Sequence, residues 1–158
     1  MPLEPVITAL SARFERVRAG LDVGFSDEDF IARLHAARRG NWLSIPSSDI
    51  FPFEASQFDA VVLESQAVTR EAVKEANRVL KPNGFMFFTV DAKTRKHEGY
   101  TVTEIYKIIR EGFDIVDVAR PSWWRFGFVR WTITVSARKK AWKEQRGLSG
   151  KWAAPFIN

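Results

Sequence analysis

The sequence contains no cysteine, and this absence removes several kinds of chemistry at once. Disulfide bonds, thiol catalysis and cysteine-based zinc sites are all excluded. Histidine is scarce as well, because only His35 and His97 are present and they lie far apart in the chain. Zinc sites need closely spaced histidine or cysteine ligands, so we expect no metal site.

Long apolar segments are also missing. No apolar run approaches the roughly 20 residues that a helix needs to span a bilayer. Residues 1–5 do not combine a basic region with an apolar stretch, so we expect no secretory signal. Together with the lack of cysteine, these features predict a cytoplasmic protein that makes no contact with a membrane.

What is present indicates one domain with a single hydrophobic core. The chain has 158 residues, of which 46% are hydrophobic and 27% are charged. The net charge of +5 is unevenly distributed, since residues 138–151 carry six basic residues and one acid, Glu144. Such a segment can meet an anionic partner such as nucleic acid, or it can be a solvated tail that aids solubility. We divide the chain into an N-terminal helix (1–19), an α/β domain (20–140) and a basic C-terminal tail (141–158).

The apolar pattern alternates between the helical and the extended period. It predicts helices over residues 4–18, 27–39, 70–80 and 101–110, and strands over 20–24, 42–45, 58–63, 85–90, 113–119 and 128–137. Strands that alternate with helices indicate a mostly parallel sheet with helices on its faces. The last two strands are predicted to form a hairpin, which places an antiparallel strand at the C-terminal edge.

Two segments carry a resemblance to a known family. Residues 52–63 (PFEASQFDAVVL) and 78–90 (RVLKPNGFMFFTV) closely resemble two linked signatures of class I S-adenosylmethionine (SAM) methyltransferases of the type 11-like group. In that family the fourth strand follows a "PF…FD" loop and the fifth follows an "LKPGG" turn. The resemblance extends over residues 20–140. It implies a Rossmann-like three-layer sandwich with about six strands, SAM as the cofactor and methyl transfer as the activity.

The loop after the first strand departs from the family's pattern. In the family this strand ends in an acid and a Gly-x-Gly-x-Gly loop that opens a helix. Asp22 and Gly24 match, whereas Ser26 and Glu28 stand at the second and third glycine positions, and Phe25 adds bulk beside them. Ser26 is a good N-cap, and acids in a helix's first turn satisfy its donors. An incoming ligand carboxylate would therefore meet acids instead of free N–H groups.

The interval between the first and the fourth family strand is short. Only 35 residues separate Gly24 from Asp59, whereas the family places two helical crossovers and two strands there. One βαβ unit takes about 30 residues, so we expect a truncated fold that lacks a strand and a helix. The acid that binds the ribose in the family has no clear counterpart. Ser47 aligns best with the adenine-contacting position, and Asp49 is the only acid nearby.

The resemblance also implies a set of site residues. The segment after the fourth family strand, residues 64–67, would line the active face, where Glu64 or Gln66 could orient a substrate; an ordinary solvated loop is the alternative. Asp91 has a similar place after the fifth strand. No catalytic residue is assigned, because methyl transfer depends mainly on alignment. The implied cofactor-binding residues are Asp22, Gly24, Ser26, Ser47, Asp49 and Glu64.

The sequence leaves open which partner this chain binds. Residues 122–131 interleave aromatic residues with arginines, a pattern typical of core packing or a protein interface and also found where single-stranded nucleic acid binds. If the missing elements leave a sheet edge open, a partner chain, a second copy or the N-terminal helix would cover it.

Three functions remain as hypotheses. In the first hypothesis, the chain is a SAM-dependent methyltransferase-like protein that acts on an unknown acceptor. In the second, it is a non-catalytic pseudoenzyme that serves as a binding or assembly module in a homodimer or complex. The third hypothesis is a basic RNA-associated domain. The altered loop after the first strand favours the second hypothesis over the first.

Overall fold

The computed structural model describes residues 17–36, 40–95, 98–119 and 132–140. Most of the predicted N-terminal helix, the aromatic segment 122–131 and the basic tail lie outside the described residues. Val17 and Arg18, at the end of that predicted helix, are not helical. No helix in these four ranges is long and apolar enough to cross a membrane.

The described residues form a six-stranded sheet with the order β2-β1-β3-β4-β6-β5. Strands β1 to β4 are mutually parallel, and β6 runs antiparallel to both β4 and β5. This arrangement confirms the predicted Rossmann-like α/β fold, its antiparallel C-terminal strand and the pairing of the last two strands. In chain order the elements are β1 (Ala19–Val23), α1 (Glu28–Ala36), β2 (Asn41–Ile45), β3 (Phe58–Leu63), a 3₁₀ turn (Ser65–Ala67), α2 (Arg70–Val79), β4 (Leu80–Asp91), α3 (Val102–Ile109), β5 (Phe113–Ala119) and β6 (Thr132–Lys139).

The core lies on both faces of the central strands. Leu21 and Val23 of β1 and Leu63 of β3 are fully buried in the larger apolar cluster on one face. Ala60 and Val62 of β3 are buried on the opposite face, in a second cluster. A strand that is covered on both sides must be apolar at nearly every position, which explains the continuous apolar run of β3.

Two threonines begin helices as their sequence positions suggest. The hydroxyl of Thr69 accepts the N–H of Ala72 at 3.0 Å, so Thr69 is the N-cap of α2. Thr101 was predicted as the first residue of the next helix, but it is the N-cap of α3. It forms a capping box with Glu104, whose carboxylate accepts the Thr101 N–H at 2.7 Å.

The segment that was predicted as a turn before the fifth family strand is part of β4. The strand begins at Leu80, directly after α2, and not at Phe85. Its pairing with β3 shifts register, since Phe58 faces Leu80 while Ala60 faces Phe85. The intervening residues form a bulge, in which Asn83 adopts a left-handed φ of 62°. Proline and glycine in this segment therefore produce an irregular strand and not a break.

The connection between β2 and β3 comprises residues 46–57, and in the described part of the chain β2 lies at the edge of the sheet. The loop of residues 46–57 is clamped to α2 by one arginine. Arg78 donates to the carbonyl oxygens of Phe51 at 3.1 Å and Phe53 at 2.7 Å, and also to Glu75. Glu75 in turn accepts the Phe51 N–H at 2.9 Å. The hydrogen bond between the two side chains lowers the pKa of Glu75 and raises that of Arg78.

Candidate functional site

The ends of the first three strands are joined by backbone hydrogen bonds. The N–H of Gly24 donates to the carbonyl of Ile45 at 2.9 Å, and the N–H of Glu64 donates to the carbonyl of Val23 at 2.9 Å. The segments that follow β1, β2 and β3 are therefore held side by side. The carboxyl ends of parallel strands are where α/β sheets bind their ligands.

Gly24 lies at the centre of this edge. Its φ of +89° is one that side chains rarely adopt, so the position favours glycine. A Cβ atom at Gly24 would lie 2.8 Å from the Ala67 Cβ, 3.2 Å from the Glu64 Cβ and 3.8 Å from the Ser47 Cβ. The structure thus brings together Gly24, Ser47 and Glu64, which three separate sequence segments supplied as candidate cofactor-binding residues.

Glu64 makes its side-chain hydrogen bonds within its own loop. Its carboxylate accepts the N–H of Gln66 at 2.8 Å and the hydroxyl of Ser65 at 2.8 Å, so Glu64 caps the short 3₁₀ turn. These bonds fix the turn that carries Ala67, which is 1% exposed and packs against Gly24. The contribution of Glu64 to the site is therefore at least to shape the wall beside Gly24.

Asp49 contacts the start of α2. Its carboxylate accepts the hydroxyl of Thr69 at 2.9 Å, and Thr69 is the residue that caps this helix. Both Asp49 and Ser47 are exposed, on the loop that follows β2. The loop after β2 is in this way tied to the helix that follows β3.

The first loop differs in detail from what the sequence predicted. Helix α1 begins at Glu28, so the residue directly before it is Asp27 and not the predicted cap Ser26. The carbonyl of Asp27 accepts the N–H of Ile31 at 2.9 Å. Phe25 was expected to add bulk beside the loop, but it is only 9% exposed and packs with the core on the face of Trp42. Ser26 and residues 27–29 are exposed, so negative charge does surround the start of this helix.

Asp22 is a fully buried acid at the end of β1. Its Oδ2 atom lies 3.2 Å from Nε2 of His35, and the Ser44 hydroxyl lies 3.5 Å from the same nitrogen. His35 lies near the end of α1, and its side chain is 34% exposed. Because the serine and the acid share one ring nitrogen, the three groups cannot act as a Ser-His-Asp proton relay.

Tyr100 joins the loop after β4 to the loop after β3. Its hydroxyl donates to the carbonyl of Val68 at 3.1 Å, and its N–H donates to the carbonyl of Asp91 at 2.8 Å. Asp91 itself is exposed at the end of β4. Sequence reasoning missed Tyr100, because a single tyrosine in a loop carries no periodic signal. Across the described ranges, no group of three or more histidine or acidic residues forms a metal cluster.

A comparison with protein families finds similarity over roughly the first half of the chain. The model of a family described as "Methyltransferase domain" matches residues 12–88. The matched region contains the Gly24 loop, the clamped loop before β3, and β4 up to Phe88. None of the curated protein sequences matches the chain significantly.

Solved structures match a larger part of the chain. A SAM-dependent methyltransferase from Aquifex aeolicus superposes with a TM-score of 0.65 at 14% identity, over 87% of this chain and 89% of that one. The 1,6-didemethyltoxoflavin-N1-methyltransferase of Burkholderia thailandensis, solved with bound 1,6-didemethyltoxoflavin and S-adenosylhomocysteine, gives a TM-score of 0.64 at 17% identity, over 87% of this chain and 78% of that one. A complex of a Haloferax volcanii putative methyltransferase with the Trm112 methyltransferase activator gives 0.62 at 13% identity, over 87% and 91%. At these identities the likeness shows the fold.

Proposed function

We propose that the chain, whose residues 12–88 match the family model described as a methyltransferase domain, binds SAM at the carboxyl edge of its sheet and transfers the methyl group to an acceptor. The observation that supports this proposal is the meeting of Gly24, Ser47 and Glu64 at the ends of three neighbouring strands. The solved Burkholderia enzyme with bound S-adenosylhomocysteine supports the choice of ligand.

The residues present fit such a ligand in one specific respect. Gly24 has no side chain and a left-handed φ, so its backbone can approach a ligand closely. Ser47 offers an exposed hydroxyl on one side of this position, and the turn capped by Glu64 forms the other side. In this proposal Ser26, in the loop after β1, and Asp49, in the loop after β2, also contact the ligand. Asp22, which is buried in the sheet, supports the end of β1 beside the site.

When bound, SAM supplies an activated methyl group on a sulfonium. The task of the protein is then to hold that group in line with the acceptor and to exclude water, because direct displacement needs little further catalysis. The contacts of Tyr100 and Asp49, which join neighbouring segments, and the turn that Glu64 caps would fix this alignment.

Titration with S-adenosylhomocysteine by calorimetry tests the proposal. We expect saturable binding by the unaltered chain and its loss in Ser47→Tyr, because a bulky ring at this exposed neighbour of Gly24 would obstruct a ligand that lies there. Ala55→Tyr is the matched control, since Ala55 is also exposed but lies before β3, at the opposite edge of the sheet. An unaltered chain that binds neither SAM nor its product would overturn the proposal and favour a non-catalytic assembly module.

We further propose that a second copy of the chain covers the outer edge of β2. Among the described residues β2 pairs only with β1, and Leu43 is 51% exposed. Open strand edges commonly recruit another strand. Light scattering after gel filtration tests this proposal: Leu43→Lys is expected to dissociate the dimer. Val116→Lys, on the opposite edge strand β5, is the control. A monomeric unaltered chain would contradict the proposal.

We also propose a location and domain boundaries for the chain. A cytoplasmic location rests on the absence of cysteine. The boundaries at residues 19 and 140 rest on the sequence pattern, and limited proteolysis would test them.

A further inference from the structure

Three elements meet at one nitrogen atom of His35. Helix α1 carries His35, β1 carries Asp22 and β2 carries Ser44, whose hydroxyl lies 3.5 Å from Nε2. Asp22 and Ser44 are paired residues of neighbouring strands, so both side chains lie on the sheet face that α1 covers. The 3.2 Å contact between His35 and the buried Asp22 carboxylate is the shorter of the two.

The contact between His35 and Asp22 fixes the C-terminal end of the segment of residues 24–35. The N-terminal end of this segment is fixed independently. Gly24 is held to β2 by its hydrogen bond to Ile45, and Phe25 is buried in the core. Residues 26 and 27 then lead into α1, and His35 stands one residue before the end of that helix. A nine-residue helix is about 13 Å long, so the position of His35 determines how the whole helix lies on the sheet.

We propose that His35 is a positioning residue for the ligand site. Through its contact with Asp22 it holds α1, and with it the loop of residues 24–27, in the place that ligand binding requires. This inference rests on the proposed function, because the loop matters for binding only if a ligand lies beside Gly24.

The chemistry of the pair gives the contact more weight than an ordinary surface hydrogen bond. An imidazole N–H that donates to a carboxylate makes a charge-assisted bond, which is stronger than a neutral one. Asp22 is 0% exposed, so water does not compete freely for this carboxylate. Glutamine is the nearest replacement, since its amide N–H₂ reaches about as far as Nε2 and also donates, whereas leucine retains bulk without a donor.

The test combines His35→Leu with His35→Gln and a matched control. The control is Thr89→Val, which removes the 3.2 Å contact between the hydroxyls of Thr89 on β4 and Thr134 on β6, neither of which belongs to α1, β1 or β2. For each variant, S-adenosylhomocysteine affinity is measured by calorimetry. Amide hydrogen exchange of residues 24–36 is measured without ligand. Thermal unfolding measures how much stability each variant has lost, so that affinities are compared between variants of similar stability.

We expect His35→Leu to weaken binding about tenfold or more and to speed exchange over residues 24–27, as expected for the loss of a hydrogen bond to a charged group. His35→Gln should retain affinity within about threefold by the same reasoning. Thr89→Val should lose stability without a change in affinity or in exchange at the loop.

Each contrary result has a distinct meaning. Unaltered affinity in His35→Leu, or a failure of glutamine to restore it, would overturn the inference. If the unaltered chain binds no ligand, the proposed function fails, and loop exchange in the ligand-free protein still decides the positioning role. Equal exchange rates over residues 24–27 in the unaltered chain and His35→Leu would then overturn it.

Discussion

The ammonium group of Lys81 donates to Oδ1 of Asp59 at 2.9 Å. The other carboxylate oxygen of Asp59 accepts the N–H groups of Arg18 at 3.0 Å and Ala19 at 2.9 Å. Asp59 belongs to the "FD" of the first family signature and Lys81 to the "LKP" of the second. The two signatures are therefore linked because their residues fasten β3 to the bulge of β4 and to the start of β1.

Asp59→Asn is predicted to destabilise the protein by about 1–2 kcal/mol at neutral pH, because it weakens hydrogen bonds to a charged acceptor. Partial burial raises the pKa of Asp59, but the hydrogen bonds from Lys81, Ala19 and Arg18 and the charge of Lys81 outweigh it and lower the pKa. The stabilisation is therefore present above the unfolded pKa and is lost as the pH falls through the folded value. Urea denaturation at pH 7 and pH 3 measures both effects.

Asp114→Asn is the control for this prediction. Asp114 lies 3.8 Å from Arg138, and both side chains are more than 40% exposed, so the pair contributes little. A stability loss at pH 7 as large as that of Asp59→Asn would contradict the interpretation of Asp59 as a structural anchor.

The lowered pKa of Lys139 predicts that the free energy of unfolding rises with pH in alkaline solution. Its ammonium donates to the carbonyl of Leu80 at 2.7 Å, and burial lowers the pKa of Lys139 to about 8. Between this value and the ordinary lysine pKa of about 10.4, the unfolded chain binds more protons than the folded one, so stability rises with pH. The rise is of the order of 3 kcal/mol at 1.36 kcal/mol per pKa unit.

Urea midpoints at pH 7, 8.5 and 10 test this rise. The difference between the unaltered chain and Lys139→Met isolates the contribution of this one amine, and Lys107→Met serves as an exposed control. If the two stability curves run parallel over this range, the amine is not responsible.

Gly24→Ala is predicted to destabilise the protein by about 1–3 kcal/mol through its left-handed φ and its contact with Ala67. Adding Ala67→Gly should recover part of this loss, because the methyl group that a Cβ at Gly24 would meet at 2.8 Å is then absent. The φ strain remains, so recovery is partial. Denaturant unfolding of both single variants and the double variant gives the coupling free energy.

The control for this coupling free energy is Gly40→Ala, measured alone and in combination with Ala67→Gly. Gly40 also has a left-handed φ, of +91°, but its Cβ would meet the carbonyl of Val17 and not Ala67. We expect no coupling between residues 40 and 67. A coupling as large as that of Gly24 would mean that Ala67→Gly acts globally.

Glu28→Gln is predicted to tighten S-adenosylhomocysteine binding about twofold to fivefold at low salt. Glu28 is exposed at the start of α1, where its charge would oppose a ligand carboxylate by about 1 kcal/mol or less in water. Calorimetric titration at low and high ionic strength measures this, and the difference should shrink as salt screens the charge. Glu54→Gln, exposed before β3, should leave affinity unchanged.

Some elements were predictable to the residue. The bounds predicted for β3 (58–63) and β5 (113–119) are the observed ones, since their apolar runs are bounded by polar residues and glycine. The bulge at residues 81–84 was not predictable, because proline and glycine usually end an element. Its extended conformation depends on a partner strand that the sequence does not identify.

The site was predictable as a list of residues and not as an arrangement. Gly24, Ser47 and Glu64 follow from motif position, yet only the sheet brings them together. The contact of His35 with Asp22 depends on how α1 is rotated on the sheet, which local periodicity does not define.

Apart from residues 80–84, the amino-acid sequence by itself determined where the described strands and helices lie, because apolar periodicity and capping residues act within a few positions. It also determined that a glycine, Gly24, directly follows β1. Only the tertiary structure decided that Phe25 turns into the core and that Ala67 packs against Gly24. The reason is that these outcomes depend on competition for space between segments distant in the chain, and only the assembled sheet resolves that competition.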